Sequence, residues 1–188
     1  QLTDWYATTA DKIVERTGAD KGYCLVLGSA EGRLAFELAR RTDMHIVCIE
    51  EDPHNVATSR RALDAAGLYG SRITVHHGSL ETLPYPGYFA NLIVSDKTLL
   101  TGEMTTPALE VYRVLRPYGG CFFLGQEKRP GVETLTLTKG ARASWLAGLQ
   151  TVAWESSGDQ DGDDACWIFH RRGVLNGVDD WTQLYCDA

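Results

Sequence analysis

The sequence predicts one three-layer α/β domain built around a mostly parallel, seven-stranded sheet. Five short apolar segments have the pattern of strands buried on both faces, and helical segments separate most of them. Two further β-like segments near the end of the chain are joined only by an acidic loop, so we expect them to pair as an antiparallel hairpin. The length of 188 residues suits one domain with a full hydrophobic core and is short for two.

The first half of the chain alternates between helix and strand. Asp52 is a suitable N-cap, Pro53 suits the first helical position, and Gly67 suits the position just beyond the end of that helix. The predicted elements are an opening helix at 2–17, a strand at 23–27, a helix at 31–41, a strand at 45–49 and a helix at 53–66.

The second half continues this alternation as far as residue 124. We predict strands at 73–76, 91–95 and 121–124, a helix from Thr106-Pro107, a helix near 141–148, and hairpin strands at 151–155 and 166–171. The helix that follows Pro107 is expected to bury an apolar side made of Leu109, Tyr112, Val114 and Leu115. The acidic segment 159–164 is interpreted as a polar hairpin loop, because it lacks the correctly placed glycine and glutamate of a calcium loop.

Composition and charge make several kinds of partner unfavourable. The net charge is −7 and the basic residues are scattered, so nucleic acid is not an expected partner. No apolar run reaches the ~20 residues that cross a bilayer, so no membrane partner is expected either. Five cysteines without close spacing predict buried, reduced thiols and a cytoplasmic location. No metal site is predicted, because the pair His76-His77 has no further ligand at suitable spacing.

A glycine-containing turn and an acidic residue carry the functional interpretation. The turn Gly28–Gly32 follows the first predicted strand and precedes a helix, where free N–H groups favour an anionic group. Glu50 ends the second strand, 22 residues after Gly28, and an acid at this spacing can accept hydrogen bonds from ribose hydroxyls. A plain tight turn and a helix-start acid remain alternatives. The third glycine of a dinucleotide fingerprint is replaced by Arg33, which argues against an NAD-type dehydrogenase.

These segments, with 77–80 and 113–120, resemble the ordered motifs of class I S-adenosylmethionine (SAM) dependent methyltransferases. The resemblance implies a Rossmann-like sheet of order 3-2-1-4-5-7-6 and SAM or S-adenosylhomocysteine (SAH) as cofactor. It also implies a site in which the turn holds the methionine end of SAM and Glu50 holds the ribose hydroxyls. Ser79 and Leu80 would flank the adenine, and the end of the fourth strand would face the methyl group. The residues so assigned are Gly28, Ser29, Ala30, Gly32, Glu50, Glu51, Gly78, Ser79, Leu80 and Ser95.

The expected activity is methyl transfer to a small molecule or another unknown acceptor. Asp96 is the candidate general base, if the acceptor must lose a proton, and a capping or solvated loop acid is the alternative interpretation. Ala30 stands where the family has its middle glycine, and Ser79 stands where it has an acid. These two departures keep open a second hypothesis, a non-catalytic SAM- or SAH-binding module with a regulatory or structural role.

The end of the chain suggests a junction between domains. Residues 1–172 are predicted to form the SAM-binding domain, and residues 173–188 a linker or the start of a following domain. The segment Asp179-Asp180-Trp181-Thr182 resembles a linker that precedes PQQ-like β-propeller repeats in bacterial multidomain proteins. The resemblance implies a β-propeller as a partner in the same parent chain. The alternative is a C-terminal arm that packs Trp181 and Tyr185 on this domain.

Overall fold

The structure is a computed structural model that describes residues 2–132, 134–150, 152, 154–162 and 164–175. The predictions for most of the tail, including the propeller-type linker, lie outside the described residues. The helices are α1 (Leu2–Thr17), α2 (Arg33–Arg41), α3 (Pro53–Ala65), α4 (Asp96–Thr101), α5 (Ala108–Val114) and α6 (Lys139–Ala147). The strands are β1 (Tyr23–Leu27), β2 (His45–Glu50), β3 (Ile73–His77), β4 (Leu92–Ser95), β5 (Cys121–Glu127), β6 (Trp154–Asp161) and β7 (Ala165–Arg172).

All seven strands form one sheet in the order β3-β2-β1-β4-β5-β7-β6, which confirms the predicted topology. The first five strands pair in parallel, and β7 pairs antiparallel with both β5 and β6. Leu27 at the end of β1 is in register with Ile49 of β2 and with Ser95 of β4. The ends of these three neighbouring strands therefore meet at one edge of the sheet, called the carboxyl edge below.

Apolar side chains cover both faces of the sheet and make the fold three-layered. One core cluster packs α1, α2 and α3 on one face, with Ile13, Leu38 and Leu63 almost fully buried. The second cluster lies on the opposite face, where α5 contributes Val111. No helix connects β3 to β4 within 78–91, and apolar residues of this loop, among them Leu83, cover the sheet instead.

Several element boundaries differ from the sequence prediction. Gly32 has φ +81°, so α2 begins at Arg33 and not within the turn. The short helix α4 was not predicted; Ser95 caps it by accepting a hydrogen bond from the Thr98 N–H, and Gly102 with φ +75° ends it. Six residues are too few to show a helical period in the sequence.

Two predictions for the second half of the chain are wrong. Leu109 was expected on the buried side of its helix but is 58% exposed, because α5 starts at Ala108 and presents Ala108, Val111 and Val114 to the core. The segment 159–164 was expected to be a loop, yet β6 continues to Asp161. Backbone pairing with β7 extends the ladder through acidic residues that sequence propensity assigns to a turn.

The cysteines that the structure describes are buried and unbridged, as the sequence predicts for reduced thiols. Burial raises the pKa of the Cys121 thiol to about 11, so it stays protonated at neutral pH. Among the described helices, none has the length and apolar character needed to span a membrane.

Candidate cofactor-binding site

The turn that follows β1 is held tightly by hydrogen bonds from its own backbone. The Gly28 N–H donates to the Ile49 carbonyl at 2.8 Å, and the Gly32 N–H donates to the Ser29 carbonyl at 2.6 Å. Gly28 has φ +72°, and Ala30 has φ +40°, a conformation that favours glycine. The chain therefore reverses sharply at the carboxyl edge, between β1 and α2.

Glu50 lies directly against this turn. Its Oε2 accepts hydrogen bonds from the backbone N–H groups of Ser29 and Ala30 at 2.8 and 3.0 Å, and its Oε1 accepts one from the Asp52 N–H at 3.0 Å. The predicted meeting of the turn with the acid after β2 is thus present in the geometry. Each carboxylate oxygen can accept about two hydrogen bonds, so Oε1 keeps one acceptor position for a ligand hydroxyl.

An open cleft of about 260 Å³ adjoins Glu50 at the carboxyl edge. It offers oxygen acceptors on one side and the apolar Leu80 on another, which are complementary to ribose hydroxyls and to a base. These oxygen acceptors, the apolar side chain of Leu80 and the accessible backbone at Gly28 therefore fit an adenosyl group. The lining residues are Gly28, Ala30, Glu50, Glu51, Asp52, Asn55, Leu80, Lys97, Leu100 and Thr101.

The residues predicted to flank the adenine are only partly at this cleft. Leu80 lines it, and its N–H donates to Glu51 Oε1 at 2.9 Å, so Glu51 fixes the start of the loop after β3. The Gly78 N–H donates to the Glu50 carbonyl at 3.0 Å and extends the pairing of β2 with β3. Ser79 is exposed and its hydroxyl accepts a hydrogen bond from the Glu81 N–H. Ser79 thus caps the local turn and is not among the lining residues.

The end of β4 places two predicted residues in different surroundings. Ser95 donates a hydrogen bond to the Leu27 carbonyl and lines a gap of only about 10 Å³ next to the cleft, together with Thr98 and Trp145. Asp96 is completely buried and lines neither the gap nor the cleft. The Tyr6 hydroxyl of α1 donates to Asp96 Oδ1 at 3.0 Å, and Oδ2 has no partner among the described residues.

Burial raises the pKa of Asp96 to about 8. The hydrogen bond from Tyr6 lowers this pKa, and the nearby carboxylate of Glu50 raises it further. The same burial raises the pKa of the Tyr6 hydroxyl, so this hydroxyl stays a donor. Asp96 is therefore largely protonated at neutral pH and points away from the cleft, which leaves its role as a general base a prediction without support from the geometry.

A second cleft, of about 310 Å³, lies on the outer side of the turn between α1, α2 and α3. Gly32 lines this second cleft, where it packs against Ser59 and Leu63 of α3. Although it is larger, this cleft does not include Glu50 or the ends of β2 and β4. We therefore take the smaller cleft at the carboxyl edge as the candidate site, because parallel α/β sheets bind ligands there.

Sequence reasoning missed several residues of the site. Asp52 and Asn55 come from the start of α3, and Lys97, Leu100 and Thr101 come from α4. A signal for Asp52 existed, because it closely follows Glu50 at the end of β2. No periodic signal existed for the residues of the short helix α4.

Replacing Gly28 with alanine is expected to lower the free energy of unfolding by about 2–4 kcal/mol, measured by urea denaturation. An added Cβ would lie 2.8 Å from the Lys97 Cβ and 3.1 Å from its backbone nitrogen. Gly67 is a matched control, because it has the same φ of +72° and no heavy atom within 4 Å of an added Cβ. Gly67→Ala should lower the free energy of unfolding by only ~1 kcal/mol, because alanine is strained in the left-handed backbone conformation. Equal losses in both variants would show that Lys97 does not crowd Gly28.

The described residues contain no group of three or more potential metal ligands. A seven-stranded sheet of order 3-2-1-4-5-7-6, with an acid-lined cleft at its carboxyl edge, defines a Rossmann-like methyltransferase fold. Residues 24–119 match the family described as "Methyltransferase domain", and the chain belongs to this family. SAM or SAH is the cofactor, as the sequence predicts.

Among curated proteins, the chain is similar to dimethylglycine N-methyltransferase from Parasynechococcus marenigrum (strain WH8102). The two are 36% identical over 121 residues, which is 60% of this chain and 41% of the relative. The chain thus spans about two fifths of the length of that enzyme.

Solved structures share the fold at low sequence identity. A Methanococcus maripaludis protein described as a SAM-dependent methyltransferase has a TM-score of 0.72 at 22% identity and covers 94% of this chain and 89% of its own. The [4+2]-cyclase SpnF has a TM-score of 0.69 at 19% identity, and the match covers 90% of this chain and 81% of SpnF. Geranyl diphosphate methyltransferase in complex with SAM has a TM-score of 0.65 at 10% identity, and the match covers 88% of this chain and 85% of that enzyme. These likenesses concern the fold alone.

Proposed function

We propose that the chain is a SAM-dependent methyltransferase that methylates the nitrogen of a small amine. The proposed binding of SAM is supported by the contact of the Glu50 carboxylate with the turn Gly28–Gly32 at the edge of an open cleft. The acceptor part is supported by the similarity to dimethylglycine N-methyltransferase.

The cleft divides into regions with different roles. Glu50 would accept a hydrogen bond from a ribose hydroxyl through its remaining Oε1 position, and Leu80 would pack against the adenine. Gly28 and Ala30 would let the amino-acid end lie against the backbone, while Ser29 and Glu51 would act indirectly, by holding Glu50 and the loop at Leu80. Gly32, Gly78 and Ser79 shape these turns without lining the cleft, and Ser95 would border the methyl group.

The chemistry of a tertiary amine agrees with the position of Asp96. SAM supplies an electrophilic methyl group whose carbon–sulfur bond breaks as the carbon–nitrogen bond forms, leaving the thioether SAH. A tertiary amine attacks with its lone pair in its neutral form and loses no proton during the transfer, because the proton of its ammonium form passes to solvent beforehand. The protein therefore needs to orient the two partners, and the transfer step requires no general base. A buried, protonated Asp96 is compatible with such an acceptor.

The gap beside Ser95 has features that suit a developing ammonium. Its described lining residues carry no ionised side chain and include the ring of Trp145, and aromatic rings attract methylated ammonium groups. The gap of about 10 Å³ is too small for an acceptor. Binding of an acceptor there would require segment 104–106, which lines the gap, to move.

The test is a product assay on the 188-residue chain with SAM and single candidate acceptors. We expect SAH to accumulate with dimethylglycine or a related small amine, and an equal amount of methylated amine to appear by mass spectrometry. Binding of SAM or SAH in calorimetry without turnover on any amine would instead favour the non-catalytic binding module. Failure of the folded chain to bind either compound would overturn the proposed function.

Other expectations stay predictions. A cytoplasmic location, a bacterial origin, a β-propeller in the same parent chain and the absence of nucleic acid as a partner all rest on the sequence patterns given above. Mass determination of the parent protein and sequencing of its C-terminal part would test the propeller directly.

A further inference from the structure

One side chain in the cleft at the carboxyl edge has a charge that the rest of the cleft lacks. Among its described lining residues, Glu50, Glu51 and Asp52 are acidic, and Lys97 is the one basic residue. Lys97 belongs to the first turn of α4, directly after β4. Its Cβ packs against Gly28, where an added methyl group would approach it to 2.8 Å, so the lysine lies directly beside the turn.

Four of the five backbone amides of the turn Gly28–Gly32 already donate to acceptors within the protein. The N–H groups of Ser29 and Ala30 both donate to the Glu50 carboxylate. Those of Gly28 and Gly32 donate to backbone carbonyls. In many α/β proteins such amides receive the anionic part of a ligand. Here these four amides already have acceptors, so a further donor beside the turn would strengthen the binding of an incoming carboxylate.

Lys97 has a weak partner that a ligand can replace. Its Nζ lies 3.5 Å from Glu103 Oε2, and the two side chains are 37% and 65% exposed. Exposed pairs of this kind contribute little to stability, because water screens the two charges. A carboxylate held in the cleft, partly shielded from water, would attract the ammonium more strongly than the solvated Glu103 does.

We propose that Lys97 binds the carboxylate of the amino-acid end of the adenosyl cofactor, and that Glu103 is its partner when the cleft is open. The proposal rests on the proposed function, because it requires that SAM and SAH bind in this cleft. It explains how a cleft with three acids accepts a ligand that carries a carboxylate. It also separates two roles: Glu50 faces the ribose, and Lys97 faces the opposite end of the same molecule.

The experiment compares two probes that differ in the amino-acid end. SAH carries it, whereas 5′-methylthioadenosine has the same nucleoside and thioether sulfur without it. Calorimetric titrations would measure both probes against the wild type, Lys97→Met, Lys97→Arg and the control Lys21→Met. Lys21 is an exposed lysine in the loop before β1, at the opposite edge of the sheet. Thermal unfolding of each variant would verify that it is folded.

We expect Lys97→Met to weaken SAH binding by about tenfold or more, with less than about a twofold change for 5′-methylthioadenosine. Lys97→Arg should retain most of the SAH affinity, and Lys21→Met should match the wild type. If the wild type binds SAH but Lys97→Met weakens both probes equally, weakens neither, or tightens SAH, the role of Lys97 is wrong while the proposed function stands. If the folded wild type binds neither probe, the proposed function fails and this inference fails with it.

Discussion

Replacing Glu50 with alanine is expected to weaken SAH binding by about 1–3 kcal/mol, roughly 5- to 150-fold, and to destabilise the fold at the same time. The binding loss follows from removing the acceptor for a ribose hydroxyl. The loss of stability follows from the three backbone N–H groups that donate to the carboxylate, which belong to Ser29, Ala30 and Asp52. Because Ser29 is buried, we expect the free energy of unfolding to fall by about 2–3 kcal/mol.

Two variants separate these effects in calorimetry and urea denaturation. In Glu50→Gln the amide oxygen can still accept from Ser29 and Ala30, but the NH₂ group then faces the donating Asp52 N–H, so an intermediate effect is expected. Glu31→Ala is the matched control on the same turn. The Glu31 carboxylate contacts the exposed Arg33, so its removal should change the free energies of SAH binding and of unfolding by no more than about 0.5 kcal/mol. Unchanged SAH affinity in Glu50→Ala would remove this residue from the site.

The second large effect is a dependence of stability on pH that Asp96 controls. Its pKa in the folded protein is about 8, raised from 3.8 chiefly by burial. Because the pKa is higher in the folded state, its contribution to stability is complete below about pH 4 and is lost as the pH rises to about 8. A tenfold change in a protonation equilibrium corresponds to about 1.4 kcal/mol, so the loss of stability across this pH window is expected to reach several kcal/mol.

Asp96→Asn should remove this dependence. The amide oxygen can accept the hydrogen bond of the Tyr6 hydroxyl, and no charge develops as the pH rises. We expect the variant to be more stable than the wild type by about 2–4 kcal/mol at about pH 8 and nearly equal to it at about pH 4. Urea denaturation at a series of pH values measures the difference, with the exposed Asp64→Asn as control.

The same variant tests the chemical role of Asp96. Other groups that face this carboxyl group, namely Glu50, Glu31 and Arg129, are unchanged, so differences between variant and wild type report on Asp96. Parallel stability curves for the two proteins would contradict the raised pKa. Loss of methyl transfer to a tertiary amine, with SAH binding retained, would restore Asp96 as a catalytic candidate.

Much of the candidate site could be predicted from the sequence, because the ends of the buried strands could be located in it. The apolar runs that become β1 and β2 are continuous, so their ends, and the residues that follow them, could be located without coordinates. Neighbouring parallel strands end at the same edge, which is why Glu50 and Gly28 could be expected to meet. Lys97 could not be predicted as a site residue, because it lies on a six-residue helix that directly follows β4 and is too short to show a helical period.

By itself, the sequence predicted the class of fold, the strand order implied by the resemblance to the family, and the edge of the sheet at which the candidate cleft lies. The fold class and the ends of the strands depend on hydrophobic periodicity and turn residues, which are local properties of the chain, whereas the strand order came from the resemblance. The tertiary structure alone decided where side chains at that edge point: Glu50 toward the amides of the turn, Asp96 toward Tyr6 in the core, and Lys97 from beside Gly28 toward Glu103. Such directions depend on packing between segments far apart in the chain, and no local pattern encodes them.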